Sequence, residues 1–459
     1  MRGLSKTEWV VVVFVTSMGL GGDVASAGIN VWTSNGPEGR KIRSLAIDPV
    51  TSAMVYAGTD GGGVYKSVDG GGSWTAVNIG LTVFSILALA IDPAAPATVY
   101  AATNAGGVFK SADGGGTWTA VNNGLGRHGA WALAIDPVTP ATIYAGTGGD
   151  GVFKSVDGGG SWTAVGPVAA ITGILALAID PVTPAMVYAA TDGNGVFKSP
   201  DGGGTWTAVN TGLASPYVFA LAIDPVTPAT VYAATLVGLF KSVDGAGSWI
   251  AVNTGPPNVL ALAVDPVAPK TMYVATIGGG IFRSADGGGR WIPFNNGLSN
   301  TDFTSLAIDS TGKNLHAGSD AYYGGTGVYD YTVATPASFY TLTPCRVADT
   351  RNPVGPYGGP ALAANADRTF VIGGQCGIPS TAAAVSLNFT VTQPTAQGDL
   401  RALAAGVGLP LVSTMNWRAG QTRANNAIVS LGPSGDIVVH VDQASGTVHF
   451  IIDVNGYFQ

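Results

Sequence analysis

The sequence predicts a nearly all-β protein, in which a seven-bladed β-propeller is followed by a C-terminal β-sandwich. Only two of the 28 acidic residues are glutamate, Glu8 and Glu38, while the chain contains 68 glycines. Aspartate and glycine favour tight turns, whereas glutamate favours helices. The chain also repeats a unit of about 44 residues that contains four short strand-like runs, a pattern typical of propeller blades.

The bulk composition limits the kind of protein this can be. A length of 459 residues predicts two or three domains. Charged residues make up 11% of the chain, and the formal net charge is −7. Because a nucleic-acid binder needs a basic surface, we expect no nucleic-acid partner.

The N-terminus has the pattern of a secretory signal. Arg2 and Lys6 precede the apolar run "WVVVVFVTSMGL", and "ASA" at residues 25–27 has the form of a cleavage site. A membrane anchor is the alternative, but the apolar run is short for a membrane span. We therefore expect a signal peptide at residues 1–27. The mature protein would then be secreted, or held at the cell surface or in the periplasm, with no transmembrane segment.

Two phrases mark the repeat. The first, "KSVDGGGSWTAV" at residues 66–77, recurs six times and the second, "LAIDP" or a variant of it, seven times. The mature N-terminus carries "INVWTSNG", which is similar to a fourth strand. We therefore expect the strand at residues 29–34 to complete the last blade, so that the propeller covers residues 28–335 and leaves no sheet edge open at the seam. The aspartates and tryptophans of the first phrase are Asp69, Asp113, Asp157, Asp201, Asp244 and Asp286, with Trp74, Trp118, Trp162, Trp206, Trp249 and Trp291.

The first phrase has the form Ser-x-Asp-x-Gly-x-Ser/Thr-Trp, with departures at Ala246 in the fifth copy and Arg290 in the sixth. It resembles the Asp-box, or BNR repeat, of sialidases, sortilin-type receptors, xyloglucan hydrolases and photosystem assembly propellers. Its position between the third and fourth strands predicts a hairpin turn, in which the aspartate accepts backbone hydrogen bonds and the tryptophan packs between blades. Calcium binding is the alternative, but each copy offers one carboxylate where a good site needs several. We expect a structural role, without metal or cofactor.

The loops after the second and fourth strands differ from unit to unit and lie together on one face of a propeller. They carry most of the distinctive side chains, and aromatic groups beside a few charges suit a glycan or a protein ligand. Solvated loop decoration is the alternative. The candidate ligand-face residues are Arg40, Arg43, Arg127, His128, Trp131, Tyr217, Phe219, Asp302, Phe303, Tyr322 and Tyr323.

Catalysis is not expected. The resemblance to sialidases implies an arginine cluster, a tyrosine nucleophile and a neighbouring glutamate, but Glu38 is the one glutamate after the signal peptide. The resemblance to xyloglucan hydrolases implies two catalytic aspartates, and nothing in the sequence selects a pair among Asp60, Asp150, Asp192, Asp302 and Asp320. The photosystem assembly factors imply a single propeller without catalysis. We predict a non-catalytic binding or scaffold protein, with a glycoside hydrolase as the alternative.

The repeats stop before residue 336, and residues 336–459 alternate apolar and polar residues in the manner of a β-sandwich. Cys345 and Cys376 suggest one disulfide in an exported chain, with free thiols as the alternative. The segment resembles an uncharacterised C-terminal module of exported bacterial proteins that ends in "VDVNGYF". We expect it to help attach a monomeric protein to the cell envelope, and we expect a buried ion-pair network of Asp349, Arg351 and Asp453.

Overall fold

The computed structural model describes residues 28–165, 173–252, 255–320, 327–333, 339–405 and 414–458. The chain forms two compact units, which divide between residues 334 and 335. The described residues form strands and turns without a helix, and nine sheets account for their regular structure. This confirms the predicted all-β fold, a propeller followed by a sandwich. The predicted signal peptide lies outside the described residues.

Seven sheets of the first unit are the blades of the propeller. Blades 1–6 each contain four consecutive antiparallel strands, ordered from the first to the fourth. The first strand of each blade packs against the first strands of both neighbouring blades, and that of blade 7 packs against that of blade 1, so the ring is closed. Before blade 1 come β1 (Gly28–Ile29) and β2 (Thr33–Ser34). Blade 1 consists of β3 (Ile42–Ile47), β4 (Val55–Thr59), β5 (Gly63–Ser67) and β6 (Thr75–Ala76), and blade 2 of β7 (Ile86–Ile91), β8 (Val99–Thr103), β9 (Gly107–Ser111) and β10 (Thr119–Ala120). Blade 3 consists of β11 (Ala130–Ile135), β12 (Ile143–Thr147), β13 (Val152–Ser155) and β14 (Thr163–Val165), blade 4 of β15 (Ile174–Ile179), β16 (Val187–Thr191), β17 (Val196–Ser199) and β18 (Thr207–Ala208), and blade 5 of β19 (Ala220–Ile223), β20 (Val231–Thr235), β21 (Gly238–Ser242) and β22 (Ile250–Ala251). Blade 6 consists of β23 (Val259–Val264), β24 (Met272–Thr276), β25 (Gly280–Ser284) and β26 (Ile292–Pro293), and blade 7 contains β27 (Phe303–Ile308), β28 (Asn314–Ser319) and β29 (Val328–Thr332).

The seam of the ring lies in blade 7. Strand β2 pairs antiparallel with β29, matching Thr33 with Asp330, and β1 pairs with the same strand in the parallel sense. Trp32 is buried, and its indole N–H donates to the carbonyl of Phe294 in blade 6. Because Trp118 makes the equivalent bond to Val77 of the preceding blade, the N-terminal segment supplies the outer part of blade 7.

The repeated phrase forms a turn that satisfies its own polar groups; we call Ser67–Trp74 and its copies the repeated turn. Asp69 accepts the backbone N–H and the hydroxyl of Ser73, and the hydroxyl of Ser67 donates to the same carboxylate. Burial tends to raise the pKa of Asp69, but these hydrogen bonds hold it below its ordinary value. In the exposed copies at Asp113, Asp157 and Asp244, hydrogen bonding lowers the pKa to about 2. The copy with Arg290 keeps the backbone bond to Asp286.

A clamp of tyrosine and lysine joins the repeated turns of blades 2–5 to the preceding blade. In blade 1, the Tyr56 hydroxyl and the Lys66 ammonium both donate to the carbonyl of Gly114, at 3.0 and 2.9 Å, and the ammonium lies 5.5 Å from the centre of the tyrosine ring. Burial raises the pKa of Tyr56 to about 12. Blade 7 lacks this clamp, because His316 and Asp330 occupy the corresponding positions. Nδ1 of His316 lies 2.6 Å from Oδ1 of Asp330.

The second unit is a sandwich of two sheets. In one sheet the order is β30-β38-β33-β36, with β31 beside β38, and in the other it is β32-β37-β34-β35. Alternate residues of β33 and β37 are buried, so their apolar faces meet in one core. Cys345 and Cys376 form a disulfide with their Cα atoms 6.0 Å apart. The strands are β30 (Phe339–Asp349), β31 (Leu362–Ala363), β32 (Ala366–Val371), β33 (Ala384–Thr392), β34 (Gly398–Ala404), β35 (Met415–Trp417), β36 (Arg423–Ser430), β37 (Asp436–Gln443) and β38 (Thr447–Phe458).

The expected network of Asp349, Arg351 and Asp453 is present, but Arg346 completes it and it is not buried as expected. Arg351 pairs with Asp349 at 2.6 Å, and Arg346 pairs with Asp349 at 3.4 Å and with Asp453 at 2.8 Å. The reason is sheet register, which places Arg346 of β30 directly opposite Asp453 of β38. Both arginine side chains are about half exposed, so this is a surface network.

Candidate functional site

Strand order sorts the loops of the propeller into two faces. The repeated turns follow the third strands and lie on one face with the loops after the first strands. The loops after the second and fourth strands lie on the opposite face, which we call the variable face. Backbone hydrogen bonds join neighbouring loops there, for example from Gly61 and Gly63 of blade 1 to the carbonyl of Phe84 before blade 2. The variable face is therefore a hydrogen-bonded surface formed by successive blades.

Two basic side chains of the variable face are already ion-paired. Arg43 is buried and donates to Asp60 at 2.7 Å, and the hydroxyl of Ser85 donates to the other oxygen of that carboxylate. Lys41 lies 2.7 Å from Asp320, whose side chain is almost fully buried. Burial tends to raise the pKa of Asp60, but Arg43 and Ser85 bring it below its ordinary value. These charges therefore hold blade 1 together and join it to blade 7.

The other predicted ligand-face residues divide into exposed and buried groups. Arg40, Arg127 and His128 are exposed, Tyr217 is 48% exposed, and Trp131 and Asp302 are half-buried. Phe219 and Phe303 were predicted on the ligand face, but both are buried. Phe303 begins a first strand and Phe219 directly precedes one, and the ring of Phe303 packs 5.3 Å from that of Tyr329. Tyr322 and Tyr323 lie outside the described residues.

A patch across blades 3–5 brings the remaining groups together; it comprises His128, Trp131, Asp150, Asp192 and Tyr217. The ring of Trp131 lies against Gly148, where a Cβ would collide with it, and close to Gly173. The carbonyl of Gly173 accepts a hydrogen bond from the backbone N–H of Asp192. Asp192 also forms an isolated antiparallel β-bridge, a backbone contact, with Tyr217. Asp192 thus contacts the loops that carry the two aromatic side chains.

His128 and Asp150 form one edge of this patch. The imidazole Nδ1 lies 3.0 Å from one carboxylate oxygen, and the backbone N–H of His128 donates to the other. These interactions lower the pKa of Asp150, the backbone bond contributing most. The local sequence gives no signal of this pairing, because the two residues belong to separate loops 22 positions apart.

Aspartate 302 has a structural contact. Its carboxylate accepts the backbone N–H of Gly278 at 2.6 Å, which links the loop before blade 7 to blade 6. Among the described residues, no three or more histidine, cysteine, aspartate or glutamate side chains are grouped so as to hold a metal ion. Nor does the described part of the chain include a helix long and apolar enough to cross a membrane.

An apolar cavity of about 70 Å³ lies at the far ends of the first strands, away from the variable face. Leucine, isoleucine, valine, alanine and proline side chains line it, including Leu133, Ile135 and Pro137. Without polar side chains, this cavity has nothing to orient a polar ligand, so the patch across blades 3–5 is the better candidate site.

Comparison with known proteins supports the fold. No protein-family model and no curated protein sequence matches the chain. Among solved structures, it is similar to the GH74 xyloglucanase from Xanthomonas campestris, with 19% identity and a TM-score of 0.52, over 71% of this chain and 58% of that one. It is also similar to YCF48 bound to D1 peptide, with 14% identity and a TM-score of 0.53, over 68% of this chain and all of the other. The WD40 repeats of RRP9 match with 11% identity and a TM-score of 0.52, over 68% of this chain and all of theirs. At these identities the likeness concerns the propeller fold alone.

Proposed function

We propose that the propeller is a non-catalytic binding module of a secreted protein, and that an extended glycan or polypeptide lies across blades 3–5 of its variable face. The observation that carries this proposal is that Asp192 joins the loops that carry Trp131 and Tyr217, through a backbone hydrogen bond to Gly173 and a backbone bridge to Tyr217. Aromatic faces beside hydrogen-bonding groups suit both kinds of ligand.

The state of Asp60 and Asp150 argues against either of them as the general acid of a hydrolase. A glycoside hydrolase needs one carboxyl group with a raised pKa to act as the general acid. On the variable face, the pKa values of Asp60 and Asp150 are lowered instead. Both groups are also engaged by side chains of the same face.

The extent of the structural similarity to YCF48 also supports a binding function. The chain covers all of a propeller whose solved structure holds a peptide, whereas it spans 58% of the xyloglucanase. A single propeller is therefore sufficient for polypeptide recognition in a protein of this fold.

Arrays of plant and bacterial polysaccharides and of peptides test the proposal with the full-length protein. Tyr217→Ala should weaken binding to the best ligand by at least about tenfold, since exposed aromatic anchors carry much of the energy of an interface. Phe84→Ala is the matched control, because Phe84 is 43% exposed on the same face but lies next to blade 2. Equal binding by both variants and the unmodified protein would show that the ligand lies elsewhere.

Glycoside hydrolysis is the second candidate function. The Trp131 ring lies against Gly148, two residues before Asp150, and both Trp131 and the Asp192 side chain lie near Gly173. One structural neighbour is a xyloglucanase. Release of reducing ends from xyloglucan, abolished by Asp150→Asn or Asp192→Asn, would establish this function in place of the first.

We also propose export of the protein and attachment to the cell envelope through the sandwich. The disulfide between Cys345 and Cys376 supports export, because such bonds persist in oxidising compartments. Fractionation of cells that express the chain, with and without residues 336–459, tests both parts. Cytosolic retention would contradict export, and equal release of both forms would contradict attachment.

A further inference from the structure

The face of the propeller opposite the variable face has an apolar centre. We call it the repeat face, and it comprises the repeated turns and the loops after the first strands. The lining of the apolar cavity of about 70 Å³ includes four prolines of these loops, Pro137, Pro181, Pro225 and Pro266. A volume of about 10–15 Å³ holds one water-sized group, so the cavity has room for about five, which is close to the size of one leucine side chain.

Exposed valines border this cavity. Each of the four prolines is followed by a valine that is between 68% and 72% exposed, namely Val138, Val182, Val226 and Val267. In blade 1 the equivalent Val50 is 58% exposed. Neighbouring first strands pack against one another, so equivalent residues of successive blades lie next to each other around the ring. Apolar surface that is gathered in this way, rather than scattered, marks an interaction site.

The same loops give the centre of the repeat face a negative charge. The basic residues of these loops are Lys270 and Lys313, whereas an aspartate directly follows the first strand of every blade: Asp48, Asp92, Asp136, Asp180, Asp224, Asp265 and Asp309. In blades 1–6, Oδ1 of this aspartate accepts two backbone N–H groups of its own loop. Oδ2 is not fully buried and receives no hydrogen bond from a described residue. Six carboxylates therefore keep one oxygen as an acceptor for a partner.

Charges farther out on the repeat face are close to balanced. The aspartates of the six repeated turns share this region with five lysines of the third strands and with Arg283 and Arg290. The excess of negative charge is therefore concentrated around the cavity. Burial raises the pKa of Asp265, and the negative charge of Asp309 in the next blade raises it further, although two backbone hydrogen bonds oppose the shift. A positive charge that approaches the centre would offset this repulsion.

We propose that the repeat face binds a basic polypeptide segment of another protein, which inserts one aliphatic side chain into the central cavity. The cavity and the exposed valines bury that side chain, and the ring of aspartates attracts basic residues on either side of it. Charge favours this partner over a second copy of the chain, because two repeat faces in contact would bring like charges together. The proposal does not depend on the function proposed for the variable face, because different loops form the two surfaces.

Isothermal titration of the full-length protein with the capped pentapeptide Lys-Lys-Leu-Lys-Lys tests the proposal. The peptide should bind, whereas Lys-Lys-Ser-Lys-Lys and Glu-Glu-Leu-Glu-Glu should bind at least about tenfold more weakly, because the first lacks the aliphatic side chain and the second the positive charge. An increase from about 0.05 M to about 0.5 M sodium chloride should weaken binding, since salt screens exposed charges.

Two triple variants locate the site. Val138→Ser, Val182→Ser and Val226→Ser together should weaken binding of the leucine peptide by at least about tenfold, because the apolar border of the cavity is lost. The matched control makes the same change at three valines of the repeated turns, which are between 63% and 67% exposed on the same face but lie away from the first strands: Val68, Val156 and Val243. The control should bind the peptide as the unmodified protein does.

Tyr217→Ala should leave peptide binding unchanged, so that this proposal and the one for the variable face fail separately. Absence of binding at millimolar concentration, equal binding of the three peptides, or an equal loss in both triple variants would overturn the proposal. A dimer in sedimentation velocity that the first triple variant dissociates would overturn it too, because a second copy of the chain would then be the occupant of the repeat face.

Discussion

Removal of the imidazole at the seam should strongly destabilise the propeller. His316 and Asp330 are both fully buried, and Asp330 lies against the repeated turn of blade 1, where a Cβ at Gly71 would collide with its carboxylate. The second oxygen of Asp330 has no hydrogen-bond partner. His316→Ala therefore leaves a buried carboxylate with no partner side chain.

The structure sets the size of this effect. Loss of the hydrogen-bond partner of a buried carboxyl group, together with the cavity that the imidazole leaves, costs about 3–5 kcal/mol. At roughly 2 °C per kcal/mol for a unit of this size, the melting temperature should fall by about 6–10 °C. Replacement of both residues, His316→Leu with Asp330→Leu, should cost less than either single change, because apolar pairs of similar volume often replace buried ion pairs without loss.

Urea unfolding followed by tryptophan fluorescence measures these changes. Lys110→Met is the matched control from the ordinary clamp in blade 2. It removes one bond to the carbonyl of Gly158, which Tyr100 retains, and should cost about 1 kcal/mol. A loss below about 1 kcal/mol for His316→Ala, or a double variant as unstable as the singles, would refute the reasoning.

Burial raises the pKa of Asp330 despite its bond to His316. A carboxyl group with a raised pKa in the folded state favours folding at acidic pH, and this contribution is lost as pH rises through that pKa. The difference in stability between the unmodified protein and Asp330→Asn should therefore depend on pH. A difference that stays constant from acid to neutral pH would contradict burial of an ionisable carboxyl group at this position.

Three further predictions concern the remaining structural elements. The first replaces Asp113, Asp157 and Asp244 by asparagine, and the protein should then lose less stability in acid titrations between about pH 4 and pH 2, because the folded pKa of about 2 of these aspartates lies below the unfolded value. An unchanged acid transition would show that their hydrogen bonds do not stabilise the fold. Trp118→Phe should destabilise the propeller in urea by about 1–2 kcal/mol, because it removes the bond to Val77 and part of the buried ring, and an effect confined to the sandwich would contradict this. Cys345→Ser should cost the sandwich about 3–4 kcal/mol by calorimetry, with a shifted propeller transition as the contrary result.

Local patterns were enough to predict the repeated turn and the propeller. The hydrogen bonds of Asp69 stay within its own turn, so the sequence of that turn contains the whole arrangement. Placement of the candidate site was harder, because it depends on where each first strand begins. Phe219 and Phe303 were predicted on the surface, but they turn inward at these strand starts.

Contacts between distant loops explain what else the sequence analysis missed. The pair of Lys41 and Asp320 crosses the seam, and the pair of Arg43 and Asp60 joins strand β3 to the loop after β4, so neither follows from neighbouring residues. The pair of His316 and Asp330 did leave a signal. Alignment of the seven units against one another places these residues where other units have tyrosine and lysine or arginine.

Reducing-end release and binding, measured together on xyloglucan and other polysaccharides, test the central claim most directly. The account predicts retention of a ligand by the variable face, weakened by Tyr217→Ala, with no release of reducing ends above that of a heat-inactivated control. Release of reducing ends that disappears in Asp150→Asn would contradict it, and would make the propeller a hydrolase.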